Sequence, residues 1–365
     1  MTKKTKNQHF VPQFLLRNFT TEDGVVSIYD SIRDVLRPPT NVRRVLSENY
    51  FYDKDNSVEN FLASYVEGPA SEVISLFSGA LNEPDPLDYA SKINVLRFIV
   101  VQLSRTPRAF ASSLENIDNM FDNLVRELGE LNNFEQSSID GIKVNLTDPK
   151  SILCMQTIES AINWPLLDDL EWHFIINGTE TEFVISDHPA VHYNWYMRDS
   201  GRPDATAITN YGVQVFLPIS PIVTLCLYDR KVYKMGSKRD SYTVVTNDSD
   251  IYVLNELQFR SREAFIVCRT EAQAKHAKHL CDVVPRNSLY RNHFKSTSPV
   301  DAGNDQLKST FLQWREQMKL KRWLSFCKIK KKARTQYLQS GSRCPEIVQE
   351  HRSFVQGMRD SRDVL

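Results

Sequence analysis

The hydrophobic period of the chain changes once, near Trp164, and that change limits the folds open to it. Upstream, Phe61, Leu62, Tyr65 and Val66, then Val73, Ile74 and Phe77, recur at spacings of three and four. Such spacing gathers side chains on one helical face and predicts a helix over about residues 58–81. The strongest helix runs from Tyr89 to Ser104. Its apolar residues (Ile93, Leu96, Phe98, Ile99, Val100, Val101 and Leu103) nearly encircle it, as in a central, buried helix. An amphipathic helix at about 109–131 and another at about 149–162 follow. Downstream the period is two: Trp172, Phe174 and Ile176 alternate with Glu171, His173 and Ile175. The Asn177-Gly178 pair and then Phe183 to Ile185 predict a hairpin. Further strands are predicted at 214–217, 222–228 and 264–268. A small N-terminal hairpin is predicted from Gly24–Tyr29 and a run at Val35-Leu36. Helices first and strands later, without βαβ alternation, give an α+β class: an N-terminal hairpin and helical half, then a mostly antiparallel sheet.

Composition is that of an ordinary globular chain, with 41% hydrophobic and 25% charged residues. Lys+Arg and Asp+Glu are both 45, so global charge selects no partner. Its distribution does. Between Lys308 and Arg334 ten basic residues face only Glu316, a local net of +9, leaving −9 for the rest. This stretch also carries Phe311, Trp314, Trp323 and Phe326, and is expected as a basic helix. The expected organisation is one α+β domain over 1–300 and a basic, partly helical C-terminal extension over 301–365. Lys319, Lys321, Arg322, Lys330, Lys331 and Lys332 are its candidate nucleic-acid contacts, combining phosphate neutralisation with nearby aromatic stacking. No apolar run follows the N-terminal lysines and none is long enough to span a bilayer. Six scattered cysteines with no CxxC suit reduced thiols and a cytoplasmic setting.

Three polar motifs could carry chemistry. In Gln8-His9-Phe10-Val11-Pro12 a histidine stands beside an amide on a proline-stiffened turn, where it could act as acid or base or simply tether the terminus. Ser186-Asp187-His188-Pro189 follows a predicted strand. There Asp187 could orient an imidazole or, with His188, hold a divalent ion, and His188 or His192 could act as base; the same four residues also make a good turn. Arg105-Thr106-Pro107-Arg108 ends the central helix, where two guanidiniums either cap carbonyls or clamp a phosphate. Glu48 and Asn255 are weaker polar candidates. His276 and His279 stand among Lys275 and Lys278 and read as a solvated basic face. No phosphate loop, HExxH, GxSxG or GxGxxG signature is present.

Taken in order, Gln8 to Pro12 with Leu15 and Phe19, Glu48 to Tyr52, Arg105 to Arg108, Ser186 to Pro189, Pro218 to Pro221 and Asn255 resemble a bacterial family classed as a domain of unknown function, DUF4238. The resemblance covers roughly residues 7–270 and implies that these places converge in one domain; it implies no reaction. If Gln8, His9, Arg105, Arg108, Asp187, His188 and Asn255 share a pocket, their chemistry suits phosphodiester cleavage. His9, Asp187 and His188 would be catalytic, and Gln8, Arg105, Arg108 and Asn255 would hold substrate. The expectation is a nuclease-like hydrolase in bacterial defence, with nucleic acid and a protein partner encoded nearby as candidate partners. The alternative is a non-enzymatic nucleic-acid-binding or protein-interaction module, in which the same side chains form a buried, satisfied network.

Overall fold

The computed structural model describes residues 5–79, 87–237, 240–297, 310–336 and 341–362. It is a mixed α+β fold whose sheets are mostly antiparallel. The central helix is Tyr89–Ser104, with Asp88 accepting from the Ser91 N–H at its start; Val95, Leu96, Phe98, Ile99, Val100 and Val101 are all buried. The expected helix after residue 57 forms as Ser57–Phe61 and Gly68–Ser75 on either side of a π-helical turn, Leu62–Glu67. Pro107–Leu131 and Pro149–Ser160 complete the helical half.

A five-stranded sheet carries the second half. Its order is Tyr242–Val245, Glu171–Asn177, Val223–Tyr228, Gln214–Ser220, Val191–Tyr193, antiparallel except for the first pair. Strand alternation divides its side chains between two cores. Phe174, Val215, Leu217, Leu225 and Leu227 face the helices, whereas Ile175, Phe216 and Cys226 face away. The expected N-terminal hairpin is present: Val25–Asp30 pairs with Val35–Asn41, and Phe265–Cys268 and Ile185–Ser186 extend it to four strands. Pro38 and Pro39 lie in its edge strand, where a missing N–H costs no ladder bond.

Two expectations need correction. The Asn177-Gly178 hairpin does not form, because Glu171–Asn177 pairs with other strands and Ile185–Ser186 joins the second sheet. The chain between them crosses from sheet to sheet. Asn177 accepts from the Thr179 N–H and donates to the Thr181 carbonyl, and the Phe183 N–H donates to the Pro221 carbonyl. Little of the basic segment is helical: Thr310–Gln317 is a strand paired with Tyr290–Thr297, and helix appears only at its end, Ala333–Gln336, and beyond it, Pro345–Arg362. The outer face of the five-stranded sheet explains this. Leu320, Leu324 and Cys327 are buried against it, with Trp323 and Phe326 packed alongside, so the stretch serves as the cover of the second core. The Trp323 ring stacks between Tyr193 and Trp195 at 5.0 and 5.1 Å.

Candidate functional site

The C-terminal end of the central helix is where the sequence motifs meet, and it sorts them into two groups. On one side lie Gln8, His9 and Arg105. Gln8 is fully buried; its Nε2 donates to Asp53 and its Oε1 accepts from the Tyr52 N–H at 2.8 Å. His9 Nε2 donates to the Val42 carbonyl at 3.3 Å, and burial holds the ring's pKa below its ordinary value. Arg105 is 1% exposed and spends its guanidinium on the Tyr52 hydroxyl (2.8 Å), Glu67 (2.6 Å) and the His9 carbonyl. Gln102, one turn back, donates to the Phe10 carbonyl at 2.8 Å. These contacts pin the N-terminal strand to the helix, with the side chains turned to one another.

Asp187 and Asn255 are engaged in the same way. The Asp187 carboxylate accepts from the backbone N–H groups of Glu263, Ala264 and Phe265 at 2.8, 2.6 and 2.9 Å; burial pushes its pKa up to about 6 while these donors pull it down. Asn255 accepts from the Val184 N–H and donates to the Glu182 carbonyl, holding the crossing segment. Ser186 is tied to Gln258. Among the described residues no group of three or more His, Cys, Asp or Glu could hold a metal ion, and His276 and His279 lie on the surface. Both Asp187 oxygens are taken by those backbone N–H groups, and among the described residues no third side chain of these kinds joins Asp187 and His188.

Arg108 and His188 fall on the other side, at a cavity of about 270 Å3 that also meets His192, Arg260, Tyr290 and Arg315. Arg108 is half-buried and, among the described residues, has no hydrogen-bond or ion-pair partner. Arg315 donates to Ser112 Oγ at 2.9 Å and has no carboxylate partner among the described residues; Arg260 is paired with Glu256 at 2.7 Å. The two unpaired guanidiniums lower the basicity of the imidazoles. Burial first, then Arg108, His192 and Arg315, push His188 down to about 3, and burial and Arg315 push His192 down to about 4. Both rings are neutral at pH 7.

Hydrogen bonds fix a different tautomer on each ring. His192 Nε2 lies 3.1 Å from the Thr206 carbonyl. A carbonyl only accepts, so Nε2 carries the hydrogen and Nδ1 keeps a lone pair. His188 Nδ1 lies 2.6 Å from Thr106 Oγ1, which already accepts from the Ala109 N–H at 3.3 Å. Thr106 is fully buried, and its own O–H needs an acceptor. Donation to His188 Nδ1 provides one and puts the ring's hydrogen on Nε2. The site thus holds a neutral base, a neutral donor and two cations.

Sequence reasoning placed Arg108 and His188 in the site and weighed His192 as a base, but set Arg315 in the basic segment. Arg260 and Tyr290 carried no local signal, since they reach the cavity only through tertiary packing. Of the basic segment's cations, Lys319 pairs with Asp199 at 3.0 Å, and Lys321, Arg322, Lys330, Lys331 and Lys332 are exposed.

The fold and site define an α+β chain with an arginine–histidine cavity roofed by strand residues near the C-terminus. The chain belongs to the family described as protein of unknown function (DUF4238), whose model matches residues 7–272. No curated protein and no solved structure matches it. The family segment includes Arg108, His188, His192 and Arg260; Tyr290 and Arg315 come from beyond it. Among the described residues, no helix is long and apolar enough to cross a membrane.

Proposed function

We propose that the cavity binds the phosphate of a phosphodiester and that the chain is a nuclease-like hydrolase working by acid–base chemistry. Arg108 is the observation that carries this reading: a half-buried guanidinium with five donors and no protein acceptor among the described residues, beside neutral imidazoles. An unpaired buried cation is costly, and an anionic ligand relieves it. Arg108 and Arg315 would take the non-bridging oxygens and offset the charge that gathers on them in the transition state. His192 Nδ1 would remove the proton from the attacking hydroxyl or water as the new P–O bond forms. The His188 Nε2–H would donate a hydrogen bond to the leaving oxygen, which takes its proton from solvent water as the old P–O bond breaks. At about 270 Å3 the cavity is at the small end of ligand sites, so it suits a phosphate with one nucleoside-sized group, as at a strand end, and not a duplex.

The test is cleavage of end-labelled single-stranded RNA and DNA by the full chain, with phosphate protection against heat measured alongside. His192→Gln keeps a donor for the Thr206 carbonyl but removes the base; it should cut the rate at least a hundredfold. Arg108→Gln should abolish phosphate protection, and His9→Ala, which lies outside the cavity, should keep it. Full cleavage by His192→Gln, or neither cleavage nor phosphate protection in the wild type, overturns the reading. Phosphate protection without turnover would favour the non-enzymatic module, for which the hydrogen bonds that Gln8, His9, Arg105, Asp187 and Asn255 make within the protein are the supporting observation.

A further inference from the structure

We infer that a second surface, built on a two-stranded ribbon, binds the phosphate backbone of nucleic acid. Tyr233–Met235 and Cys327–Ile329 pair antiparallel, with Lys234 directly opposite Lys328. Tyr233, Met235 and Cys327 are buried in the second core, so strand alternation sends both lysines to solvent, where both are exposed. Ammonium groups facing each other across a ladder repel, which makes this pair a local cost to stability. Lys330, Lys331 and Arg334 follow on the surface, and Lys330 bends its ammonium onto the Arg230 carbonyl. Among the described residues Lys234, Lys328, Lys331 and Arg334 have no hydrogen-bond or ion-pair partner. Two stretches far apart in sequence, near 230–234 and 328–334, thus supply one basic face. Only the second was evident from the charge run.

The chemistry favours nucleic acid over a bilayer. Among the described residues, no exposed large apolar side chain lies within 228–236 or 325–334, so the face has no wedge to enter acyl chains. It also lacks an exposed aromatic platform, since Trp323 is spent on the core. Contacts would therefore run through phosphates and be insensitive to base sequence. Lys234 and Lys328 stand side by side on neighbouring strands, roughly 5 Å apart in the backbone, so both ammonium groups can reach one stretch of phosphate backbone.

The inference is independent of the cavity, and charge reversal tests it without disturbing the core. The probe is fluorescein-labelled oligo(dT) titrated with the full chain at several salt concentrations. Neutralising about four phosphates of a single strand gives a log–log salt slope near −2.8. Lys328→Glu should weaken binding at least tenfold and raise Tm, because Lys234 then faces an opposite charge. Lys234→Glu/Lys328→Glu should weaken it further and return Tm toward the wild type. Lys54→Glu, the same change of charge on an exposed lysine outside both the ribbon and the cavity, should bind oligo(dT) as the wild type does. Absence of salt-dependent binding by the wild type, or unchanged affinity in Lys328→Glu, overturns the inference. So does a loss of affinity accompanied by a fall in Tm, which would make the lysine structural. Binding to phosphatidylserine vesicles but not to oligo(dT) overturns it in favour of a lipid surface.

Discussion

Thr106 Oγ1 stands 2.6 Å from His188 Nδ1, and the direction of that hydrogen bond decides what the imidazole can do. The threonine caps the Ala109 N–H and passes its own hydrogen to the ring, so a residue that starts a helix also sets a tautomer. Thr106→Val keeps the shape and removes the donor. It should cost about 1 kcal/mol as a lost cap. It should also free Nδ1, so that the Nε2–H form of His188 loses its preference. Nitrogen NMR of the ring checks the tautomer, with Thr106→Ser expected to restore both the cap and the Nε2–H form.

Arg105 and Arg108 are three residues apart and should behave oppositely. Arg105→Ala strips Glu67, the Tyr52 hydroxyl and the His9 carbonyl of a shared partner in a buried place and should cost about 3–5 kcal/mol. Arg108→Ala removes a cation with no partner among the described residues. Its effect should stay within about 0.5 kcal/mol or be stabilising. Urea unfolding of the two variants is the measurement, and equal losses would place Arg108 among the structural residues.

The contrast between these arginines also marks how far the sequence could be read. Helical spacing located Tyr89–Ser104 to the residue, because burial all around a helix leaves a dense apolar signature. The strands at 214–228 and 265–268 were legible from short apolar runs. The Asn177-Gly178 signal misled because a local turn preference was overridden by pairing with distant strands, and Asn177 was spent on holding a crossover. The basic stretch misled through composition: its lysines stay outside, but Leu320, Trp323 and Leu324 belong to a core whose other half lies a hundred residues upstream. Of the candidate site, the motifs were visible and their partition was not. Whether a guanidinium is spent or free depends on partners such as Glu67 and Tyr52, which no spacing rule connects to position 105.

The same core governs truncation. Ending the chain at residue 300 would uncover Ile175, Phe216, Cys226, Val191 and Tyr193 and remove Arg315 from the cavity. Trp323 alone stacks on two rings and meets a third, Phe216. Losing such contacts together should cost far more than the roughly 3–5 kcal/mol of one buried aromatic, against a total stability of about 5–15 kcal/mol. The truncated chain should therefore be insoluble or bind a hydrophobic dye. A soluble, cooperatively melting 1–300 fragment would instead make the C-terminal segment a separable extension.

Stability should fall on mild acidification. His173, His188 and His192 are held at about 4, 3 and 4, chiefly by burial, against an ordinary 6.5. The unfolded chain therefore binds protons at these rings from about pH 6.5 downward, and the native state does not until near pH 4 or 3. Their contribution is complete above pH 6.5 and is lost as pH falls toward those values, with each ring adding up to about 1.4 kcal/mol per pH unit to the slope. Glu59 and Asp187 oppose it. Burial raises them to about 7 and about 6, so each favours the folded state more as pH drops through its own window. Three groups against two leave a net decline between pH 6 and 4. Replacing His173 by Gln, away from the cavity, should flatten the decline by about one proton. Phosphate should act more selectively. An anion beside Arg108 and Arg315 offsets the part of the His188 depression that those guanidiniums add to burial, so the ring titrates higher with the anion bound and the anion's stabilising effect should be larger at pH 5.5 than at pH 7.5. Melting curves with and without phosphate across that range measure both effects. Phosphate stabilisation that shrinks as pH falls would mean that the anion does not sit beside His188.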